Sequence, residues 1–275
     1  MRVLTDPAPK PTEPVGLPKP VPFRATGFRF RNHPVVAWSS VVLAVLVWHI
    51  GAKVQDDSVF LPRPGEVLEA FVSMWQSGEL ALHVAASARR LLMGWGLGAA
   101  SGFGLGLAIA LNTYVRAAAV PLISALFATP KIALLPLFIV WFGLGESAKV
   151  ATIAIGVFSP MVVATYSGLD GVDRRLVRMA QSFNVPTFRI VTSILLPGAL
   201  PALLTGVRVS GAIAIVLLVG AEMIAARYGI GALAISSGSL MRTDRLFVAL
   251  TLLGLCGVMF SLTVSLAESI LLKWR

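Results

Sequence analysis

Six apolar runs, each nearly free of charge, dominate the chain: Val35 to Gly51, Leu91 to Leu111, Ala117 to Gly145, Val150 to Leu169, Pro201 to Glu222, and Leu246 to Ala267. A helix of about 20 such residues spans the hydrocarbon core of a bilayer. A water-soluble domain carries roughly 25% charged residues, whereas this chain of 275 residues has 13% charged and 56% hydrophobic residues. The expected fold class is therefore an all-α integral membrane protein with six transmembrane helices, and six crossings bring both termini to the same side. A single cysteine, Cys256, lies inside an apolar run and excludes a disulfide framework or a cysteine-based metal site.

The charge pattern orients these spans. A net charge of +10 would suit a nucleic-acid partner, but the basic residues are scattered between apolar runs, so no nucleic acid is expected. If the N-terminus is inside, the inner segments collect thirteen Lys and Arg against eight outside, leaving out Lys131 and Arg208 at or within spans. That excess predicts cytoplasmic N- and C-termini. Residues 1–34 hold eight of the 17 prolines and six Lys/Arg with no long apolar stretch, which reads as a flexible cytosolic tail. Residues 35–275 form the membrane domain. Within the long connection 52–90, an amphipathic stretch from Glu66 to Trp75, opened by Pro62 and Pro64, is expected outside along the membrane surface.

Three features of the spans stand out. Gly94, Gly98, Gly102 and Gly106 recur every fourth residue, placing one bare face on the second span where another helix approaches closely. A phosphate-cradling loop would need a strand before it and a βαβ setting, and these glycines lie in a continuous apolar run. The third span breaks at Thr129-Pro130-Lys131 and again at Pro136. Such defects survive in hydrocarbon only where protein or a water-filled cavity covers them. A central lysine costs about 2.5–3.5 kcal/mol on insertion scales. Thr129 and Lys131 are therefore candidates for lining a pathway suited to an anion. The competing reading is that Lys131 snorkels or pairs structurally, for example with Glu222. Glu222, at the end of the fifth span, either lines the outer mouth of that pathway or only pairs within the structure.

The connection 170–200, between the fourth and fifth spans, reads as a short helix-turn-helix. Asp173 is placed to cap a helix over which Leu176, Ala180 and Phe183 share one face. Asn184 tolerates the left-handed turn that follows, and Pro186 opens a second helix carrying Phe188, Val191 and Leu195. Pro197 and Pro201 are expected to end it ahead of the fifth span. Basic residues face outward and apolar ones remain for docking, either under the bundle or in a groove on a cytosolic partner.

This loop resembles the coupling loop of binding-protein-dependent ABC importer permeases, roughly Glu-Ala-Ala, three residues, Gly, then a hydrophobic stretch to Leu-Pro. Aligned on Leu196-Pro197, Ala180 matches the second alanine, Met179 stands at the first, and Asn184 replaces the glycine. Arg178 stands at the glutamate and reverses its charge. SARRLLMGWGLG at 87–98, TPKIALLPLFIVWFGLGESAK at 129–149 and AEMIAARYGIGALA at 221–234 resemble the branch serving sulfonate, taurine, nitrate and related small anions. The resemblance covers residues 60–272. It implies a homodimeric permease whose loop, through Arg178, Met179, Ala180, Phe183, Asn184, Val185, Phe188 and Pro197, docks on a cytosolic ABC ATPase dimer. It also implies an extracytoplasmic substrate-binding protein that delivers the ligand, and a bacterial plasma (inner) membrane location.

No phosphate-loop motif G-x-x-x-x-G-K-[ST] occurs, so ATP and Mg are expected on the partner ATPase and no cofactor on this chain. The scattered His33, His49 and His83 and the lack of H-E-x-x-H or G-x-S-x-G give no metal site and no catalytic residue. A stand-alone secondary transporter is the alternative. That class shows interrupted helices in both halves, and proline interruption is legible here in the third span only.

Overall fold

The computed structural model describes residues 34–54 and 60–273, with side chains from residue 39. The tail expected over 1–34 lies outside the described residues apart from Pro34. Among the described residues every regular element is helical. Helix α1 (Pro34–Val54) runs out of a first unit ending at Ala44 into a second, Val45–Arg275, which holds everything else described here.

In the second unit α2 (Pro64–Gln76) is the expected amphipathic segment, with Glu66 of its first turn accepting from Arg63 N at 3.0 Å. Its buried Val67 and Met74 pack in one cluster with Ile230, Leu233 and Val248. Helix α3 (Glu79–Leu111) starts a dozen residues before the apolar run expected from 91 to 111. The third run is divided: α4 (Thr113–Ala128) keeps Pro121 inside it, the chain breaks at Thr129-Pro130, and a 3-10 turn over Lys131–Leu134 leads into α5 (Leu135–Phe142). The two halves meet at 95°. Helix α6 (Glu146–Asp170) follows, then the short α7 (Arg174–Ser182) and α8 (Thr187–Ile190).

The prolines at 197 and 201 do not end the second loop helix. From Thr187 to Ala225 the chain is one helical rod of 39 residues, comprising α8, a π-helical turn over Val191–Leu195, and α9 (Leu196–Ala225). In the wider turn Leu196 N–H reaches back to Val191 O. Pro197 then falls in the first turn of α9, where a missing N–H is tolerated. Helix α10 (Ile230–Ser239) has no counterpart among the six expected runs, and α11 (Thr243–Leu271) closes the chain.

Four helical rods, α3, α6, Thr187–Ala225 and α11, are long and apolar enough to cross a membrane. The bent pair α4 with Lys131–Phe142 makes a fifth if it counts as one span, and Ser39–Val54 of α1 is a shorter apolar helix. The centre of the bundle is α6, packed between α3 and α9. A Cβ added to Gly94 would lie 2.6 Å from Ile153 Cβ, one on Gly102 2.7 Å from Phe158 O, and one on Gly106 2.8 Å from Val162 O. Gly98 is pressed against Ala154. The glycine face of α3 thus seats parallel on α6, and the missing side chains are what lets the backbones touch. On the other side of α6, Gly168 meets Ala199 and Ala202, while Gly206 of α9 meets Ala164. Trp95 of α3 ties in α9 and α11, donating to Ser210 Oγ at 3.1 Å and meeting Phe260 edge-on.

Candidate functional site

The loop 170–200 is built from its caps. Asp173 accepts from Arg175 N at 2.8 Å and starts α7. The helix ends in a Schellman motif: Val185 N–H reaches Ala180 O at 3.1 Å and Asn184 N–H reaches Gln181 O at 3.0 Å. Asn184 takes φ 52 to close it. Ala180 is buried, as are Ile190 and Val191 behind it. Phe183 and Phe188 are turned outward, 77% and 78% exposed, with Met179 beside them at 55%. Arg178 is exposed too, and lines a cavity with Asp170, Arg174 and Gln181 under the loop. Val185 is half-buried and Pro197 exposed. The result is an apolar knob of two phenylalanines on a capped, basic scaffold, held off the ends of α3 and α6. At that end Arg116 pairs with Asp170 at 2.7 Å.

The break in the third run is capped by its own lysine. Lys131 Nζ donates to Phe127 O at 2.6 Å and lies 5.1 Å from the centre of the Phe127 ring. A cation at the C-terminus of α4 satisfies an orphan carbonyl and complements the helix dipole. Thr129 Oγ1 donates to Ala125 O at 3.0 Å in the same turn. Both side chains keep partial exposure. Lys131 and Glu222 do not pair with one another; each is held elsewhere.

Glu222 is fully buried and belongs to an ion network. Arg90 of α3, 4% exposed, donates through Nη1 to Glu222 Oε1 at 2.7 Å and to Tyr228 O at 2.6 Å. Its Nε and Nη2 form a two-pronged pair with Glu146 at the start of α6, the Nη2 bond being 2.8 Å. Lys149 Nζ stands 3.0 Å from Glu146 Oε1 and donates to Ala225 O, on the last residue of α9, at 3.2 Å. Two cations and two carboxylates therefore sum to zero, the condition under which buried charge is tolerated. The remaining acceptor capacity of Glu222 is taken by Ser87 Oγ at 2.8 Å and Gly231 N at 2.9 Å. Ile230 N donates to Ser87 Oγ at 2.8 Å. The first amides of α10 thus end on Glu222 and Ser87, where a carboxylate also complements the dipole. His83 completes the set, with Nδ1 2.8 Å from Gly229 O and 3.1 Å from Gly229 N. Gly229 adopts φ 142, and any Cβ there would strike the Glu222 carboxylate, so no other residue fits.

Sequence reasoning named Glu222 but missed Arg90, Glu146, Lys149, Ser87 and His83. One signal was present: charged residues sit at the margins of three apolar runs, two arginines in SARR, a glutamate and a lysine in GESAK, and a glutamate in GAE. Helices of bilayer length bring such margins to one level.

Comparison with known proteins agrees with this architecture. A family model described as a binding-protein-dependent transport system inner membrane component matches residues 100–274. A protein named aliphatic sulfonates transport permease protein SsuC, from Escherichia coli, is 36% identical over 242 residues, 88% of this chain and 92% of that protein. The taurine transport system permease protein TauC of the same organism is 32% identical over 248 residues, 87% of this chain and 90% of that one. Among solved structures, the inward-facing MetNI methionine ABC transporter superposes with a TM-score of 0.61 at 18% identity, covering 70% of this chain and 95% of its own. The capped loop, the broken helix and the glycine-seated bundle are thus features of a chain that belongs to the family of binding-protein-dependent transport system inner membrane components.

Proposed function

We propose that this chain is the permease subunit of an ATP-driven ABC importer, forming the path for a small anion such as a sulfonate, taurine or nitrate delivered by a binding protein. In this reading α1, α3, the bent pair, α6, α9 and α11 are the six crossings, and both termini are cytoplasmic. Two copies form the path. The α7–α8 loop projects into the cytosol and docks on an ATPase dimer, which carries the ATP and Mg. The relatives named for aliphatic sulfonates and taurine support the solute class.

The observation that carries the docking is the exposure of Phe183 and Phe188, with Met179, on a loop in which Ala180, Ile190 and Val191 are buried. Two large aromatic side chains left in water beside a rigid cap are an unmade interface. Met179 extends the same patch, Arg178 rims it, and Val185, Asn184 and Pro197 hold its shape. In the cycle, ATP would draw the two ATPases together, move the loops, and shift the population from inward-open to outward-open packing. Thr129 and Lys131, partly exposed at the bend, remain candidates for the path. Glu222 acts in this conformation as a brace at its outer rim.

The test is uptake of a labelled alkanesulfonate into vesicles carrying the chain with its ATPase and binding protein. ATP inside the reconstituted system is expected to drive uptake. Uptake by the chain alone on an ion gradient would overturn the reading in favour of a secondary transporter.

A further inference from the structure

Between α3, α5 and α6 lies a cavity of about 410 Å³ with a polar end and an apolar end. Arg89, Arg90, Glu146 and Ser147 line the first, and Met93, Leu97, Phe142, Val150, Ala151 and Ala154 the second. The gradient follows from the parallel seating of α3 on α6. Arg89, Met93 and Leu97 recur every fourth residue on α3, and Ser147, Ala151 and Ala154 descend α6 beside them. Eight helical residues rise about 12 Å, so the apolar wall extends roughly that far from the arginine. Small-molecule sites commonly combine such a volume and apolar lining with a few fixed polar groups.

The charges at the polar end are unequal in availability. Arg90 and Lys149 are balanced by the two carboxylates of Glu146 and Glu222. Arg89 is exposed and has no hydrogen-bond or ion-pair partner among the described residues. The cavity wall therefore carries one excess positive charge, on a guanidinium suited to a planar or tetrahedral oxyanion. The neighbouring Ser147 hydroxyl is also exposed and free to donate.

We propose that this cavity binds an amphiphilic monoanion, its oxyanion head between Arg89 and Ser147 and its short alkyl chain along Met93, Leu97, Ala151 and Ala154. A sulfonate and the phosphodiester of an anionic lipid share that chemistry. The assignment to a transported sulfonate rests on the function proposed above.

The experiment uses the full chain in nanodiscs and titrates butanesulfonate by calorimetry, first in phosphatidylcholine and then with phosphatidylglycerol added. Loss of one charged hydrogen bond predicts roughly tenfold weaker binding in R89Q, with R89K closer to the parent. Ala151→Leu fills the apolar end and is expected to weaken butanesulfonate more than methanesulfonate. Binding in phosphatidylcholine that weakens about tenfold or more in R89Q supports the solute site. Butanesulfonate binding displaced by phosphatidylglycerol, again dependent on Arg89, supports the same cavity with lipid as its occupant. Butanesulfonate binding unchanged in R89Q, or absent in both membranes, overturns the proposal. If R89Q also keeps ATP-driven uptake with an unaltered KM, the permease reading stands and only this site falls.

Discussion

At the residue scale the ion network shows how a membrane bundle stores charge. Arg90 donates at once to Glu146, Glu222 and Tyr228 O, so removing any one carboxylate leaves a buried guanidinium short of a partner. Breaking a buried pair on one side costs about 3–5 kcal/mol, whereas replacing the pair by apolar groups is often near neutral. Glu222→Gln is therefore expected to destabilise the chain by about that amount. The combined change Arg90→Met with Glu222→Leu would recover less than full stability, because Glu146 keeps its charge and Gly231 N loses its acceptor. Thermal unfolding in detergent of Arg90→Met, Glu222→Leu and the double change measures the coupling, and additive losses would show that the two groups do not act as a pair. A milder case is Asn184, at φ 52. Asn184→Gly should leave the loop intact, while Asn184→Val should cost about 1–2 kcal/mol for the left-handed turn, read as loss of α7 protection in hydrogen exchange.

At the element scale the α3–α6 seam is the part of the bundle least tolerant of added volume. With Gly102 2.7 Å from Phe158 O and 2.8 Å from Met161 Cβ for a Cβ it lacks, even Gly102→Ala forces the helices apart. Overpacking typically costs about 1–3 kcal/mol, and Gly102→Leu is expected to lower the yield of folded, monodisperse protein. Gly104, with nothing near its own added Cβ, is the control: Gly104→Ala should be silent in the same size-exclusion assay. That seam was legible because a four-residue glycine period is a local pattern. So were the cap at Asp173, the turn at Asn184 and the break at Pro130, each written in neighbouring residues. The beginning of α3 was not, since residues 79–90 include Glu79, paired with Arg245 of α11, and Arg90, paired with Glu146 of α6 and Glu222 of α9. Arg90 and Glu146 are 56 residues apart, and Arg90 and Glu222 132 apart. Nor was the continuity through Pro197, which depends on a π turn that no residue type announces.

At the scale of the whole molecule, local hydropathy marked the four rods long enough to cross a membrane and the bent pair, while the orientation in the proposed reading rests on a summed charge asymmetry and on where the aromatic knob can be useful. Phe183 and Phe188 lie at one end of the bundle beside the Arg116–Asp170 pair, and the Glu222 network lies at the other, because α6 runs from Glu146 to Asp170 between them. The proposed reading therefore puts the phenylalanines in the cytosol and Tyr228 outside. In a Cys256→Ser background, Phe188→Cys should react with an impermeant maleimide only after the membrane is opened, and Tyr228→Cys in intact cells. The reverse pattern would place the loop where no ATPase can reach it. Phe183→Asp with Phe188→Asp then separates docking from folding, since both side chains are exposed and the bonds that close the cap run between backbone atoms. The chain is expected to insert and bind its partner copy normally, while ATP-driven uptake falls at least tenfold and ATP hydrolysis no longer responds to loaded binding protein. Normal uptake in that variant would mean that the motor grips the permease somewhere else.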